Sequence, residues 1–479
     1  MLLPGSSPGG SDGVTTSAQT IGALRRSEYR VLSIKSELRR NLLRRLAAGD
    51  HLFPGIIGYQ DSVIPQVENA ILAGQDIIFL GERGQAKSRL IRSLIGLLDE
   101  AVPAIAGCEI NDDPYEPICR RCRDLVGERG DETPVTWLSP DQRYSEKLAT
   151  PDTSIADLIG EVDPIRVAEG RYLSDELTIH YGLVPRTHRG IFAVNELPDL
   201  AERIQVGLLN VIEERDVQIR GYRIRLPLDV FIVATANPED YTNRGRIITP
   251  LKDRFGAQIR THYPRTLEQE IAIVDQEHMV FDDMPVPVHV HGWAKEIVAE
   301  LTHLARAHPQ VNQRSGVSVR VSIANFENLV SNALRRAVRT GEKEAVVRMS
   351  DLPALMPSIH GKVELETWEA NDDTLILDKL LRTATSNVFR RHFSASEFSD
   401  LVQRFDHTGL TVEVGDSLPA DQYAAAIAEL PGLDRARQEL GVPNTPASMA
   451  AVLEFVLEGL HLGKRLNKTA IDGTSVYGG

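Results

Sequence analysis

Apolar positions along the chain follow two rhythms. Between about residues 52 and 265, short apolar runs at Ile77–Leu80, Gly190–Val194 and Val230–Ala234 alternate with stretches of helical spacing. Short apolar runs separated by helices predict a parallel sheet flanked by helices, an α/β core. From about 266 to 345 the pattern becomes that of amphipathic helices, Leu267–Glu277, Val290–Ala307 and Ser318–Thr340, which predicts a helical lid. A C-terminal helical extension is expected over 346–479, with breakers at Leu418-Pro419 and Pro431-Gly432. Ahead of the core, Leu38, Leu42 and Leu46 recur every four residues, predicting a basic amphipathic helix within 21–51. Residues 1–20 are rich in Gly, Pro, Ser and Thr without periodicity and read as a disordered leader; Gly473–Gly479 reads the same way.

Composition and charge narrow the function classes. With 479 residues, 42% hydrophobic and 25% charged, the chain can bury the cores of two or three domains. No apolar run approaches the ~18 residues of a membrane span, and the N-terminus lacks the basic-then-apolar plan of a signal peptide, so a cytoplasmic, membrane-free protein is expected. A formal net charge of −14 disfavours general nucleic-acid binding, which needs clustered cations. The basic helix runs against that balance with Arg25, Arg26, Arg30, Lys35, Arg39, Arg40, Arg44 and Arg45. It is expected to pack on the acidic body of its own chain or of a neighbouring subunit.

The sharpest chemical signal is Gly81-Glu82-Arg83-Gly84-Gln85-Ala86-Lys87-Ser88, placed between the apolar run ending at Leu80 and a helical stretch from Arg89 to Leu98. Backbone N–H groups of such a turn and the positive end of the following helix surround an anion. Lys87 adds a mobile cation and Ser88 a hydroxyl for Mg²⁺. The loop therefore reads as an ATP site, although Ala86 stands where the strict pattern has glycine.

Two further strands end in polar residues that would face the same nucleotide. Gly190-Ile191-Phe192-Ala193-Val194 runs into Asn195 and Glu196, and Glu196 is placed to polarise an attacking water. Asn195 takes the place of a metal-binding aspartate. A charge-assisted hydrogen bond is worth ~1.5–3 kcal/mol against ~0.5–1.5 for a neutral one, so the loss is about 1–1.5 kcal/mol, roughly tenfold in metal affinity. Slow hydrolysis is therefore expected. Val233-Ala234-Thr235-Ala236 leads to Asn237, which can orient the water or sense the γ-phosphate, with Thr235 as an auxiliary. Beyond it, Arg254 in Leu251-Lys252-Asp253-Arg254-Phe255-Gly256 is the candidate arginine finger, its alternative a structural salt bridge to Asp253 or Glu196. Arg320, opening a lid helix, is the candidate for reaching the phosphates from above.

In this order the motifs GERGQAKS, HRGIFAVNELPDL, ATANPEDY, LKDRFG and GVSVRVSIA resemble the AAA+ ATPases of the magnesium-chelatase and MoxR branch, over about residues 55–340. Ala156-Asp157-Leu158-Ile159-Gly160, the stretch from Gly182-Leu183-Val184 to His188-Arg189-Gly190, and a hairpin predicted over Val217–Leu226 resemble the chelatase ATPase subunit in particular. The resemblance implies an AAA+ P-loop NTPase core over 52–265 with its lid over 266–345. It also implies assembly into a hexameric ring that remodels or metallates a partner, often one carrying a von Willebrand factor A-type domain. Two other classes stand beside that reading: a nucleotide-gated scaffold in which Asn195 has abolished hydrolysis, and an AAA+ transcriptional regulator, disfavoured by the acidic charge and by the absence of a Gly-Ala-Phe-Thr-Gly-Ala loop.

All three cysteines, Cys108, Cys119 and Cys122, lie within 15 residues. Cys119 and Cys122 have the spacing of a soft-metal knuckle with Cys108 as a third thiolate, but no histidine is near and Asp112 or Asp113 would be a weak fourth ligand. The spacing leaves open whether a metal is bound at all.

Overall fold

A computed structural model describes residues 18–163, 165, 176–214, 217–219, 222–224, 226–237, 246–312, 316–364, 370–471 and 474–479. The leader expected over 1–20 lies outside the described residues except for Ala18 to Thr20. These are anchored: Ala18 is buried and Thr20 bridges to Pro134. By its contacts the chain divides into two compact units, one comprising residues up to Gly81 together with Ala86–Thr261, the other Glu82–Gln85 together with His262–Gly479.

The first unit is built on five parallel strands: β1 (Ile77–Leu80), β2 (Tyr144–Leu148), β3 (Gly190–Asn195), β4 (Val230–Ala236) and β5 (Ala257–Arg260), in the spatial order β5-β1-β4-β3-β2. Side chains alternate strictly between two cores, as a sheet covered on both faces requires. Ile77, Phe79, Ile191, Ala193, Phe231 and Val233 enter one core, and Ile78, Phe192, Val194, Val230, Ile232 and Ala234 the other. Gly190 begins β3 without a side chain because a Cβ there would lie 2.0 Å from the Arg143 carbonyl oxygen.

The basic segment forms two helices, Ile21–Arg26 and Ile34–Ala48, where one was expected. Ile34, Leu38 and Leu42 are buried against the first of the two sheet cores, whereas Leu46, counted in the same stripe, is exposed. Packing against the chain's own acids follows the expectation: Lys35 pairs with Asp76 at 3.1 Å and Arg40 pairs with Asp99. Inside, Glu37 accepts two hydrogen bonds from Arg143, at 2.8 and 2.6 Å, with both side chains almost fully buried. The hairpin expected near 217–226 is present, Val217–Ile219 pairing antiparallel with Tyr222–Ile224.

The second unit begins with Leu267–Glu277, Gly292–Ala307 and Val319–Thr340, each within two residues of its predicted start. Farther on, Ala370–His392 packs against Pro446–Leu462, a helix buried all round from Ala447 to Leu460. The helical extension also carries an antiparallel sheet of Val412–Gly415, Thr474–Gly478 and Asn467–Ile471. The tail read as disordered is thus a strand, fixed by the buried Tyr477. Among the described residues no helix is long and apolar enough to cross a membrane.

His188, just before β3, accepts the Asp229 N–H through Nδ1 at 2.9 Å and must stay neutral to do so. Burial, with the neighbouring Arg189 guanidinium adding to it, pushes its pKa from 6.5 down to about 3. A base whose folded pKa is depressed stabilises the fold above its unfolded value. That contribution is lost as pH falls from 6.5 toward 3, by about 1.4 kcal/mol per pH unit at the steepest. Replacing it by a non-titrating acceptor, His188→Asn, is expected to flatten the fall in urea midpoint between pH 7 and pH 4; an unchanged slope would assign the acid sensitivity elsewhere.

Candidate functional site

The parallel sheet brings the carboxyl ends of β1, β3 and β4 to one edge, and the candidate residues of the first unit follow from those ends. The loop from Gly81 to Ser88 leaves β1, its first N–H bonding the Ala236 carbonyl at 3.1 Å. Lys87 then opens a helix, Lys87–Ser93, that buries Leu90 and Ile91 in the same core as Phe79. Ala86 sits in the left-handed region at φ 54°, the conformation that makes glycine usual here. Gly84, at φ 75°, is closed to any side chain, since a Cβ would come 2.0 Å from Ser318 Oγ within the second unit. There the Tyr263 hydroxyl also donates to the Arg83 carbonyl at 3.0 Å.

Three predicted residues of the first unit meet. The buried Lys87 ammonium donates to the Gly81 carbonyl and, at 2.6 Å, to Asn237 Oδ1. Asn237 Nδ2 in turn donates to Glu196 Oε2 at 2.7 Å. An ammonium only donates and a carboxylate only accepts, so the orientation of the Asn237 amide is fixed by its two charged neighbours. Glu196 follows β3 at φ 58°, a strained setting for a residue with a side chain, and its N–H is held by Thr235 Oγ1 at 2.9 Å.

Asn195 has a partner that the sequence did not reveal. Its Nδ2 donates to Glu146 Oε1, and the Thr235 hydroxyl lies 3.4 Å from its Oδ1. Glu146 stands on β2 in register with Ala193, hence on the same face as Asn195. It also accepts two hydrogen bonds from Arg92, at 2.9 and 3.0 Å, and one from Tyr144 at 2.8 Å. The Arg92 guanidinium chiefly holds its carboxyl below the ordinary carboxylate range. An ionised carboxylate therefore lies one strand away from the position where Asn195 lacks one. Glu146, Asn195 and Thr235 offer oxygen donors, with the half-buried Ser88 hydroxyl at the start of the loop's helix. Such a set suits a hard divalent ion, so Mg²⁺ fits the chemistry of the residues present.

Among the described residues, the remaining candidates share no hydrogen bond or ion pair with this cluster. Arg254 ends the helix Thr249–Arg254 and pairs with Glu213, both groups partly exposed; the partner is neither Asp253 nor Glu196. Arg320 is exposed in the first turn of Val319–Thr340 in the second unit. In the stretch Asn237-Pro238-Glu239-Asp240-Tyr241, the residues after Asn237 lie outside the described ones.

The parallel sheet flanked by helices, with a glycine-rich loop leaving its β1 strand for a helix, defines a P-loop type of α/β fold. Comparison with known proteins narrows this. The chain is 26% identical over 318 residues to the magnesium-chelatase subunit ChlI of Nostoc sp., covering 63% of this chain and 80% of that subunit. It is 26% identical over 235 residues to the magnesium-chelatase 38 kDa subunit of Rhodobacter capsulatus, covering 46% of this chain and 59% of that one. No protein-family model matches. Among solved structures, the BchI–BchD complex of magnesium chelatase aligns at 20% identity, covering 67% of this chain and 98% of the matched chain, with a TM-score of 0.35, too loose a superposition to bear on the argument. In sequence the chain is thus similar to magnesium-chelatase subunits of this kind.

Asn237 bonds both charges of the cluster, and losing it removes a donor that positions Glu196. Hydrogen bonds to charged groups are worth about 1.5–3 kcal/mol, so Asn237→Ala is expected to slow any ATP turnover at least about tenfold. Nucleotide affinity, measured by fluorescence titration, should change far less; equal losses would make Asn237 a binding residue only.

Proposed function

We propose that this protein binds Mg²⁺·ATP at the Gly81–Ser88 loop and hydrolyses it slowly, driving the remodelling or metallation of a partner protein. The observation that carries the reading is the Lys87–Asn237–Glu196 chain of hydrogen bonds, which sets a phosphate-binding cation and a carboxylate on either side of one amide. Phosphate binding exchanges the contacts Lys87 makes with Gly81 and Asn237 for phosphate oxygens. Asn237 is then released to orient a water against Glu196, the general base. Bound Mg²⁺ supplies charge neutralisation of the phosphates, and Ser88 and the Asn195 amide oxygen are the residues that would hold it.

Ring assembly, as a hexamer, completes the site in this reading. Arg254 leaves its exposed pairing with Glu213 to act on a neighbouring subunit's nucleotide, and Arg320 approaches from the lid. The resemblance to chelatase ATPase subunits supports a partner with a von Willebrand factor A-type domain. One observation favours the nucleotide-gated scaffold instead: the Asn195 amide is already committed to Glu146, so the site offers metal a neutral oxygen.

Steady-state hydrolysis across a Mg²⁺ titration tests the motor. Glu196→Gln is expected to lower the rate by about a hundredfold or more, and Arg254→Ala by on the order of a thousandfold with the ring intact. Absence of turnover in the wild type with ATP still bound would establish the scaffold. Asn195→Asp alone places a second carboxylate against Glu146, so like-charge repulsion limits its gain in metal affinity. The exchange Asn195→Asp with Glu146→Gln keeps the hydrogen bond and moves the charge one strand over; it is expected to improve the Mg²⁺ midpoint by roughly tenfold over the wild type. No difference between the single and the double variant would remove Glu146 from the account.

A further inference from the structure

The three cysteines, which the nucleotide site does not use, converge with Asp112 in the first unit. The sulfurs of Cys108, Cys119 and Cys122 and a carboxylate oxygen of Asp112 all lie within 4.8 Å of one another; Asp112, Cys119 and Cys122 are buried and Cys108 is half-buried. All three thiols are free. Around a tetrahedral zinc, with bonds of about 2.0–2.3 Å, ligand atoms stand roughly 3.3–3.8 Å apart. The observed set therefore needs only small side-chain adjustments to close on an ion.

The backbone is arranged as such a site demands. Cys119 caps the helix Arg120–Arg129, its Sγ accepting the Cys122 N–H at 3.3 Å, and Cys108 Sγ accepts the Ile110 N–H at 3.4 Å. These N–H groups favour charge on sulfur and fix its direction, as outer hydrogen bonds do around a metal. Asp112 accepts the Ile118 N–H on Oδ1 at 3.2 Å and the Cys119 N–H on Oδ2 at 3.0 Å, which leaves each oxygen a further lone pair. Among the described residues no Lys or Arg is ion-paired with this fully buried carboxylate. A buried anion beside three thiols with no cation of the chain's own is costly unless a cation joins it.

We propose that Cys108, Cys119, Cys122 and Asp112 bind one structural zinc ion, with Asp112 and not Asp113 as the fourth ligand. Binding releases the three thiol protons and forms three Zn–S bonds and one Zn–O bond, with no change of oxidation state. Arg121 donates to the carbonyl of Gly107, the residue before Cys108, at 2.6 Å and so ties the two ends of the cluster together. The ion staples the turn after the strand Val102–Ile105 to the N-terminus of Arg120–Arg129.

The test uses the full chain, purified without a metal-affinity tag under reducing conditions. Elemental analysis is expected to give about one zinc per chain, released as the thiols are titrated with a mercurial. Replacement by Co²⁺ should give the sulfur-to-metal charge-transfer and intense ligand-field bands of a tetrahedral thiolate site. This reads out the wild type and so does not depend on whether Cys119→Ser folds. Asp112→Asn should keep three thiolates and weaken zinc affinity by about 10–100-fold; an unchanged affinity would overturn the assignment of Asp112. Zinc well under one equivalent, both as purified and after addition of Zn²⁺, would overturn the site. So would alkylation of the unreduced, unfolded protein at only one cysteine, which would mean a disulfide.

Discussion

Everything at the candidate site depends on a parallel sheet that is buried on both faces. Parallel strands cannot be joined by tight turns, so each returns through a crossover, and all five strands end at the same edge. The alternation of Ile77 and Phe79 against Ile78, of Ile191 and Ala193 against Phe192 and Val194, and of Phe231 and Val233 against Ile232 and Ala234 fixes register, because a slip of one residue would exchange the two cores. With register fixed, Lys87, Asn195 with Glu196, and Asn237 are set at the ends of neighbouring strands. The polar residues do not organise the sheet; the sheet delivers them.

At that edge the electrostatics are those of a poised site. Lys87 and Glu196 each bond one end of the Asn237 amide, so a cation and an anion flank one neutral group. On the next strands, the Asn195 amide takes the same intermediate place between Glu146 and Thr235. The neutral Asn195 thus has an ionised neighbour one strand away, itself clamped by Arg92. The arrangement lowers the charge at the Asn195 position and keeps an acid in the immediate surroundings.

Much of this was legible from residues alone, for identifiable reasons. The loop Gly81–Ser88 and the strands ending at Asn195 and Ala236 announce themselves because central strands are apolar throughout and end abruptly in polar side chains. Glu146 was not legible, since its strand Tyr144–Leu148 lies at the sheet edge, mostly half-buried, with no apolar alternation to mark it. The break in the basic segment escaped because Glu28 adopts φ 56°, a conformation the leucine spacing does not report. The terminal strands did leave a signal: Ile471 pairs with Thr474 around the sequence Asp472-Gly473, a hairpin signature hidden in a tail judged by its glycines. Which of Asp112 and Asp113 joins the cysteine cluster depended on how the chain folds between Cys108 and Cys119, which spacing alone cannot give.

The central claim is that the loop binds nucleotide and that Glu196 acts only on its hydrolysis. Equilibrium titration of the Lys87→Ala and Glu196→Gln proteins with ATP at saturating Mg²⁺ tests that division most directly. The account predicts that Glu196→Gln binds ATP at least as tightly as the wild type, because one partner of Asn237 is then uncharged and the amide is easier to release. Lys87→Ala should lose most of its affinity. Equal weakening in both variants, or full binding without Lys87, would contradict it.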